Sequence, residues 1–373
     1  MDLELTEEQE LFRDTTRQFL LDHVPLATVR TWAALPAGYE AAWWRRGAEL
    51  GWTSLLVSEA HGGGTISGHG LSDLTIVAEE MGALVSPGPL GPVNTVAESV
   101  SREGTPEQVE RVLPGLLNGE HVAAWCVSER STATGLDGIT LSADRGSEGF
   151  VLNGTKIPVE AGAEADWLLV TASSPAGETQ FIIPASTPGI VVTRLKGLDL
   201  VRRYAKVEFT DVAVPRSALL GVEGGARPAI ERQLSTALIL QCAETVGATE
   251  RVFDFTVQYA FDRYSFGRPL ASYQALKHRF ADMKLWLESA LAITVDATKA
   301  GDDAGEMAAI AKAYVAERCP EIIQDCVQMH GGIGVTWDHD LHLYLRRVTT
   351  HRQIYGQPAE HRDRVAALVG SST

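Results

Sequence analysis

The chain has 373 residues and a mass of 40.2 kDa, enough for two or three packing units with a sizeable core. Hydrophobic residues make up 45% and charged residues 21%, a globular composition that excludes a mainly disordered or collagen-like chain. With 48 acidic against 32 basic residues the net charge is −16, which argues against nucleic acid as the main ligand, because such surfaces are normally basic.

The first third reads as helices. Thr6 and Gln9 have the form of a capping box ahead of Leu11, Phe12, Phe19 and Leu20, which recur at helical spacing. A second helical stretch surrounds Trp43, Trp44 and Leu50. The run from His61 to Gly64 is read as a loop, since no strand precedes it and no Gly-Lys-Ser/Thr follows. Helical period returns over residues 71–81 and again over 107–113, where Pro114 is expected to stop it. The middle third changes period. Residues 123–127, 150–152, 167–171, 180–183, 190–193 and 206–209 are short, rich in Val, Ile and Trp, and separated by turn residues. Six such segments predict a small antiparallel barrel or sandwich. The last third is helical again: residues 228–263 with Pro228 in the first turn, then 273–299 and 307–329. Gly331 and Gly332 are expected to end the last of these in a left-handed cap.

Four cysteines (Cys126, Cys242, Cys319 and Cys326) form no CxxC pair, so buried reduced thiols are expected and no metal site. No stretch reaches about 18 apolar residues, so no membrane span is predicted. The acidic start is unlike a secretory signal, and a cytoplasmic protein is expected.

Several motifs fall in one order: Ala124 to Glu129; Leu152-Asn153-Gly154-Thr155-Lys156; Arg263-Tyr264-Ser265-Phe266-Gly267-Arg268-Pro269-Leu270 with Gln274 behind it; and Gln328-Met329-His330-Gly331-Gly332-Ile333-Gly334 with Arg346 behind it. Over nearly its whole length the chain resembles the acyl-CoA dehydrogenase family. That resemblance implies an α+β, mainly α fold: an N-terminal helical domain (1–120), a middle small β-barrel or sandwich domain (121–222) and a C-terminal helical bundle (223–373). It implies FAD as cofactor, an acyl-CoA thioester as substrate, and α,β-dehydrogenation, in which a glutamate takes the α-proton and the flavin the β-hydrogen.

In this family FAD is shared between subunits, so the two halves of its site can be read separately. The donated half looks intact. By resemblance Arg263 pairs with the pyrophosphate, Phe266 packs on the cofactor and Gln274 hydrogen-bonds it. Gln328, Gly331 and Gly332 meet the AMP part, and His330 is expected as a cofactor-facing packing residue. His278, one turn after Gln274, either contacts the AMP end or faces solvent. The flavin-ring half looks eroded. Ser128 keeps the hydroxyl of the family's Thr, and Thr134 is the remaining hydroxyl where the family has Gly-Ser-Asp. The family's Trp-x-Thr is here Pro158-Val159-Glu160, and Glu160 is expected to place an unfavourable negative charge near the ring.

Neither base position of the family carries a carboxylate: they hold Ala237 and Gly356. No residue of this chain is therefore assigned as catalytic. Glu244 lies seven residues beyond Ala237, two turns along, and reads either as a paired structural carboxylate or as a displaced base. The pattern is similar to one subunit of the actinobacterial α2β2 heterotetrameric dehydrogenases of steroid side chains, in which a homologous partner chain supplies the base. Three alternatives stay open: a self-sufficient homotetramer using Glu244, a flavin monooxygenase or nitroalkane oxidase on the same fold, and a structural partner without flavin.

Overall fold

A computed structural model of the chain describes residues 5–130, 138–301 and 304–370. It divides into two compact units: one holds the chain up to Val29, Thr75–Ser86 and everything from Leu238 on, the other Arg30–Leu74 and Pro87–Ala237.

In the first unit, α1 (Glu7–His23) begins at the expected capping box: the Thr6 hydroxyl accepts from the Gln9 N–H at 3.2 Å, and the Gln9 side chain accepts from the Thr6 N–H at 3.1 Å. The unit also contains the end of α4 (Gly70–Ala83), the second half of α7 (Arg227–Asp262), and α8 (Gln274–Thr298), α9 (Gly305–His330), α10 (Leu341–Gln353) and α11 (Pro358–Gly370). α4 and α7 cross at two glycines. A Cβ on Gly82 would sit 1.9 Å from the Glu244 carbonyl oxygen, and one on Gly247 would sit 2.0 Å from that of Glu79. The backbones touch, and no side chain fits between them.

The second unit holds α3 (Ala41–Glu49), α5 (Leu90–Glu103), α6 (Pro106–Leu117) and the β-structure. Its aromatic core centres on Trp43, whose ring lies edge-on to Trp32, Tyr39 and Trp52 at 5.8–6.2 Å. The strands are β1 (Ala123–Cys126), β2 (Ser142–Arg145), β3 (Gly149–Glu160), β4 (Trp167–Ser174), β5 (Gly177–Pro184), β6 (Ile190–Arg194), β7 (Tyr204–Pro215) and β8 (Leu219–Leu220), in the order β6-β7-β3-β2-β4-β5-β8 with β1 beside β4. Ala124, Cys126, Phe150, Leu152, Leu168, Val170, Phe181, Val207 and Phe209 meet in one buried cluster, so the sheet curls round its own core.

All six predicted strands exist. The sheet is mixed rather than antiparallel, however: β1 and β2 both pair with β4 in parallel. Pro114 does not stop its helix. α6 runs on to Leu117 with Val112, Leu113 and Leu116 buried, so one apolar face outweighs the single backbone hydrogen bond that proline removes. Gly331 ends α9 at φ +63°, ψ −139°, not the left-handed helical conformation, but a region that glycine alone adopts readily.

Among the described residues no helix is long and apolar enough to cross a membrane, and no group of three or more His, Cys, Asp or Glu could hold a metal ion. All four cysteines are buried and free.

The Gly247 contact makes a direct prediction. Alanine is the better helix former, yet Gly247→Ala should destabilise the chain by about 1–3 kcal/mol through overpacking, read as a lower urea midpoint. Gly64→Ala, whose Cβ would meet nothing within 4 Å, should stay within about 0.5 kcal/mol of the parent.

Candidate functional site

The expected donor segment is built from one helix end and a tight hairpin. The Arg263 N–H bonds the Tyr259 carbonyl at 2.8 Å as α7 finishes, and the Arg263 carbonyl accepts from Leu270 N–H at 2.9 Å. Between them β9 (Tyr264–Ser265) pairs with β10 (Arg268–Pro269). The turn residues Phe266 and Gly267 both have positive φ, +50° and +80°, as a two-residue hairpin turn requires. Tyr273 braces the loop: its hydroxyl donates to the Ser265 carbonyl at 2.8 Å, and the Arg268 guanidinium lies 3.8 Å over its ring. The Phe266 side chain is thus held out from a rigid turn, 97% exposed.

Arg263, Gln274 and Gln328 are exposed too, and none of their side chains has an ion pair or hydrogen bond among the described residues. The ends of α7 and α9 are brought together by a stack of Tyr259 on His330, centroids 4.2 Å apart and 18° between planes. Arg263 follows Tyr259 by one turn and Gly331 follows His330 directly, so the two motifs share one end of the unit. A Cβ on Gly331 or Gly332 would meet nothing within 4 Å, so this backbone is open to an approaching molecule. Exposed donors with no protein partner, an exposed aromatic ring and bare backbone fit a pyrophosphate with an attached nucleoside.

His330 does not join that surface. It is buried, with Nδ1 2.8 Å from the Cys326 carbonyl oxygen and the His339 ring at 4.9 Å. Burial, together with His339, holds its imidazole below the ordinary value against the pull of the Cys326 carbonyl. It is an internal spacer between helix ends. His278 is exposed.

The ring-side residues lie in the second unit. Ser128 follows β1, is buried, and its carbonyl accepts from Ile157 N–H at 2.8 Å. Thr134 lies outside the described residues. Beside Ser128 is an ion pair that the sequence reading did not find. Lys156 is fully buried, and its Nζ reaches Glu129 Oε1 at 2.7 Å and the Val127 carbonyl at 3.1 Å. Glu129 also accepts from Thr140 N–H at 2.9 Å, the Thr140 hydroxyl, and Leu141 N–H at 3.1 Å. Burial works to raise the Glu129 carboxyl, but Lys156 and these hydrogen bonds outweigh it and hold it below the usual range. Burial lowers the Lys156 ammonium, partly offset by Glu129.

Glu160 corrects an expectation. Its carboxylate pairs with Arg202 at 2.8 Å, and the same Arg202 nitrogen donates to the Gly88 carbonyl at 2.9 Å; both side chains are buried. The negative charge is neutralised inside the unit. The segment still offers neither an indole nor a hydroxyl.

Both base positions lack a carboxylate in the structure as well. Ala237 is buried. Gly356 sits at φ +101°, where an added Cβ would lie 2.8 Å from His361 Nε2, so a longer side chain there is opposed by backbone and neighbour alike. Glu244 is buried and ion-paired with Arg347, with His351 Nε2 at 3.7 Å. That is the arrangement of a paired carboxylate.

Removing one partner of a buried ion pair strands the other charge, so Lys156→Met should cost about 3–5 kcal/mol of stability at neutral pH. The pair of changes Lys156→Met and Glu129→Gln should cost less than the single one. Because the Glu129 carboxyl is depressed, its stabilisation is present at neutral pH and lost as pH falls through the lowered value. Urea unfolding of the three proteins at neutral and acid pH checks both statements.

Comparison with known proteins follows the geometry. Residues 6–120 match the acyl-CoA dehydrogenase N-terminal domain and residues 224–369 the C-terminal domain. The chain is 30% identical over 369 residues to the acyl-CoA dehydrogenase IpdE2 of Mycobacterium tuberculosis, covering 98% of each chain. It is 29% identical over 367 residues to IpdE2 of Mycolicibacterium smegmatis, covering 98% of this chain and 100% of that one. A structure of the steroid acyl-CoA dehydrogenase Tcur3481–Tcur3483 superposes with a TM-score of 0.88 at 27% identity over 98% of both chains. Butyryl-CoA dehydrogenase of Megasphaera elsdenii shares the fold at a TM-score of 0.90, 24% identity and 99% of this chain against 100% of that one. With both terminal domains matched and relatives aligned end to end, the chain belongs to the acyl-CoA dehydrogenase family of FAD-dependent oxidoreductases.

Proposed function

We propose that this chain is one subunit of a heteromeric α2β2 acyl-CoA dehydrogenase of the cytoplasm. It would give the pyrophosphate and AMP half of a shared FAD site, while a homologous partner chain supplies the flavin-ring contacts and the base. The observation that carries this reading is an asymmetry. The donor face of Arg263, Phe266, Gln274, Gln328, Gly331 and Gly332 is complete and has no ion pair or hydrogen bond from its side chains among the described residues. The chain's own base positions, by contrast, hold Ala237 and Gly356. The reading keeps the organisation into residues 1–120, 121–222 and 223–373.

FAD held there would supply the oxidising power, as hydride acceptor for the β-hydrogen of the thioester. The residues of this chain bind and orient. Arg263 offsets phosphate charge with a fixed fork of donors. Gln274 and Gln328 offer amide hydrogen bonds, the Phe266 ring offers an apolar face, and the bare backbone at Gly331 permits close approach. Ser128 is the chain's remaining hydroxyl on the ring side, with Thr134 beside it in sequence. The substrate is read as a CoA thioester of a steroid-derived acid, supported by the likeness to the steroid acyl-CoA dehydrogenase that superposes. The self-sufficient alternative needs Glu244 as base, and the Arg347 ion pair opposes it.

Alone, the chain should carry little FAD and no dehydrogenase activity. Co-expressed with a homologue that keeps the ring contacts and a glutamate base, it should give a tetramer with two FAD, by flavin absorbance and native mass. Four FAD in a homotetramer that oxidises acyl-CoA would refute the reading. In the assembled enzyme Arg263→Ala should weaken FAD binding by about 1.5–3 kcal/mol and leave the fold intact by circular dichroism. Unchanged flavin content would remove that residue from the site.

A further inference from the structure

The segment after Gly331 and Gly332 carries an aromatic ring to which the proposed site gives no part. A 3-10 turn, Gly331–Val335, leads from the glycines to Trp337, all within the first unit. Thr336 closes the turn: its N–H and its hydroxyl both donate to the Ile333 carbonyl, at 3.1 and 2.8 Å. The Trp337 side chain is 59% exposed, yet it is held in place. The His342 ring stacks against it, with centroids 4.5 Å apart and 21° between planes, and His342 Nε2 lies 3.2 Å from the Trp337 carbonyl oxygen. The Arg346 guanidinium lies 5.6 Å from the indole centroid. His342 and Arg346 are four residues apart on α10 and share one face of that helix. Both supports therefore meet the indole from the α10 side, and the opposite face of the ring is turned to solvent.

We propose that Trp337 is the platform on which the adenine of the nucleotide stacks when the phosphates are held at Arg263 and the Gly331–Gly332 backbone, an inference that rests on the reading of this face as a nucleotide site.

Reach, support and charge all favour this ring. Five residues separate Gly332 from Trp337, most of them in a 3-10 turn that rises about 2 Å per residue, which puts the indole about 10 Å from the open glycine backbone. That is the scale of a nucleotide measured from its phosphates to its base. A ring already fixed from behind loses little freedom when a ligand stacks on it, and a flat purine matches a fused indole in shape. The other aromatic rings at this end lack one of these properties. Phe266 is more exposed but stands at the tip of a hairpin turn, with no ring against it among the described residues. Tyr259 is backed, but it is His330 that lies on its face. Trp337 combines exposure with support. The Arg346 cation beneath it also adds positive potential locally on a chain of net charge −16, which suits a ligand that carries phosphates. Arg346, noted in the sequence behind the glycine motif, thereby stands next to a binding surface.

The test uses ADP on the full-length chain and FAD on the enzyme assembled with its co-expressed homologue. In the chain alone, excess ADP should shift the Trp337 indole N–H signal in a ¹H–¹⁵N spectrum, the signal being identified by its loss in Trp337→Phe. Inorganic pyrophosphate, which has no base, should leave that signal in place. In the assembled enzyme Trp337→Ala should raise the Kd for FAD roughly tenfold to a hundredfold, and Trp337→Phe, which keeps a flat ring, should stay within about fivefold of the parent. Native mass should be that of the parent in both variants. An indole signal that ADP does not move overturns the proposal. FAD affinity that survives Trp337→Ala but falls in Arg263→Ala overturns the platform and leaves the nucleotide site standing, whereas affinity that survives both changes overturns the two together. A Trp337→Ala chain that no longer assembles shows the indole covered by protein instead of adenine, and likewise overturns the proposal.

Discussion

The crossing of α4 and α7 at Gly82 and Gly247 is the constraint on which the first unit depends. With carbonyl oxygens about 2 Å from where a Cβ would be, the helices keep this spacing only while both positions carry nothing larger than hydrogen. Each consequence is electrostatic. Glu244, whose carbonyl packs on Gly82, has its carboxylate drawn into the unit, where Arg347 answers it. Arg347 also donates to the Ser86 carbonyl at 3.2 Å, and Tyr344 to the Ala83 carbonyl at 2.9 Å, which ties α10 to the end of α4. Below α10, the fully buried Lys312 donates to Gln241 at 2.8 Å, to the His351 carbonyl, and to the Ile354 carbonyl at 3.0 Å. The turn at Tyr355 and Gly356 is therefore held from α9 as well.

The two halves of the candidate site differ in how their charges are handled. On the donor side Arg263 is exposed and has no ion pair among the described residues, so a phosphate there meets little desolvation cost beyond its own. On the ring side two buried carboxylates are already answered: Glu129 by Lys156 and Glu160 by Arg202. Buried pairs of this kind contribute little net stability yet are costly to break, which favours their retention once formed. A face whose charges satisfy one another has no electrostatic call for a ligand, whereas a face of idle donors does.

What the sequence made legible was local. The capping box at Thr6, the end of α7 before the Arg263 motif and the glycine stop after α9 are each decided by a few neighbouring residues and are legible in the sequence, whereas the β9–β10 hairpin is not. The motifs that define the family lie in such segments. Pairings across the fold were hidden. Glu129 and Lys156 are 27 residues apart and Glu160 and Arg202 are 42 apart, and no period or spacing links them. α5 was missed because Pro87, Pro89 and Pro92 punctuate its start and its residues are buried on every side, which erases the amphipathic signal. The inward turn of His330 depends on Tyr259 and Phe255 from another helix. The parallel placement of β1 and β2 beside β4 is likewise a property of topology rather than of strand composition.

Phe266 carries a consequence for the cell. A ring 97% exposed on a braced hairpin cannot fold back to hide itself; Tyr264 and Ile333 are exposed in the same two motif segments, and Val335 and Trp337 just beyond the second. A lone copy therefore presents this apolar surface to water, where it favours association with other apolar surfaces. Balanced synthesis with whatever covers that hairpin, as when two genes share one transcript, keeps such a surface covered.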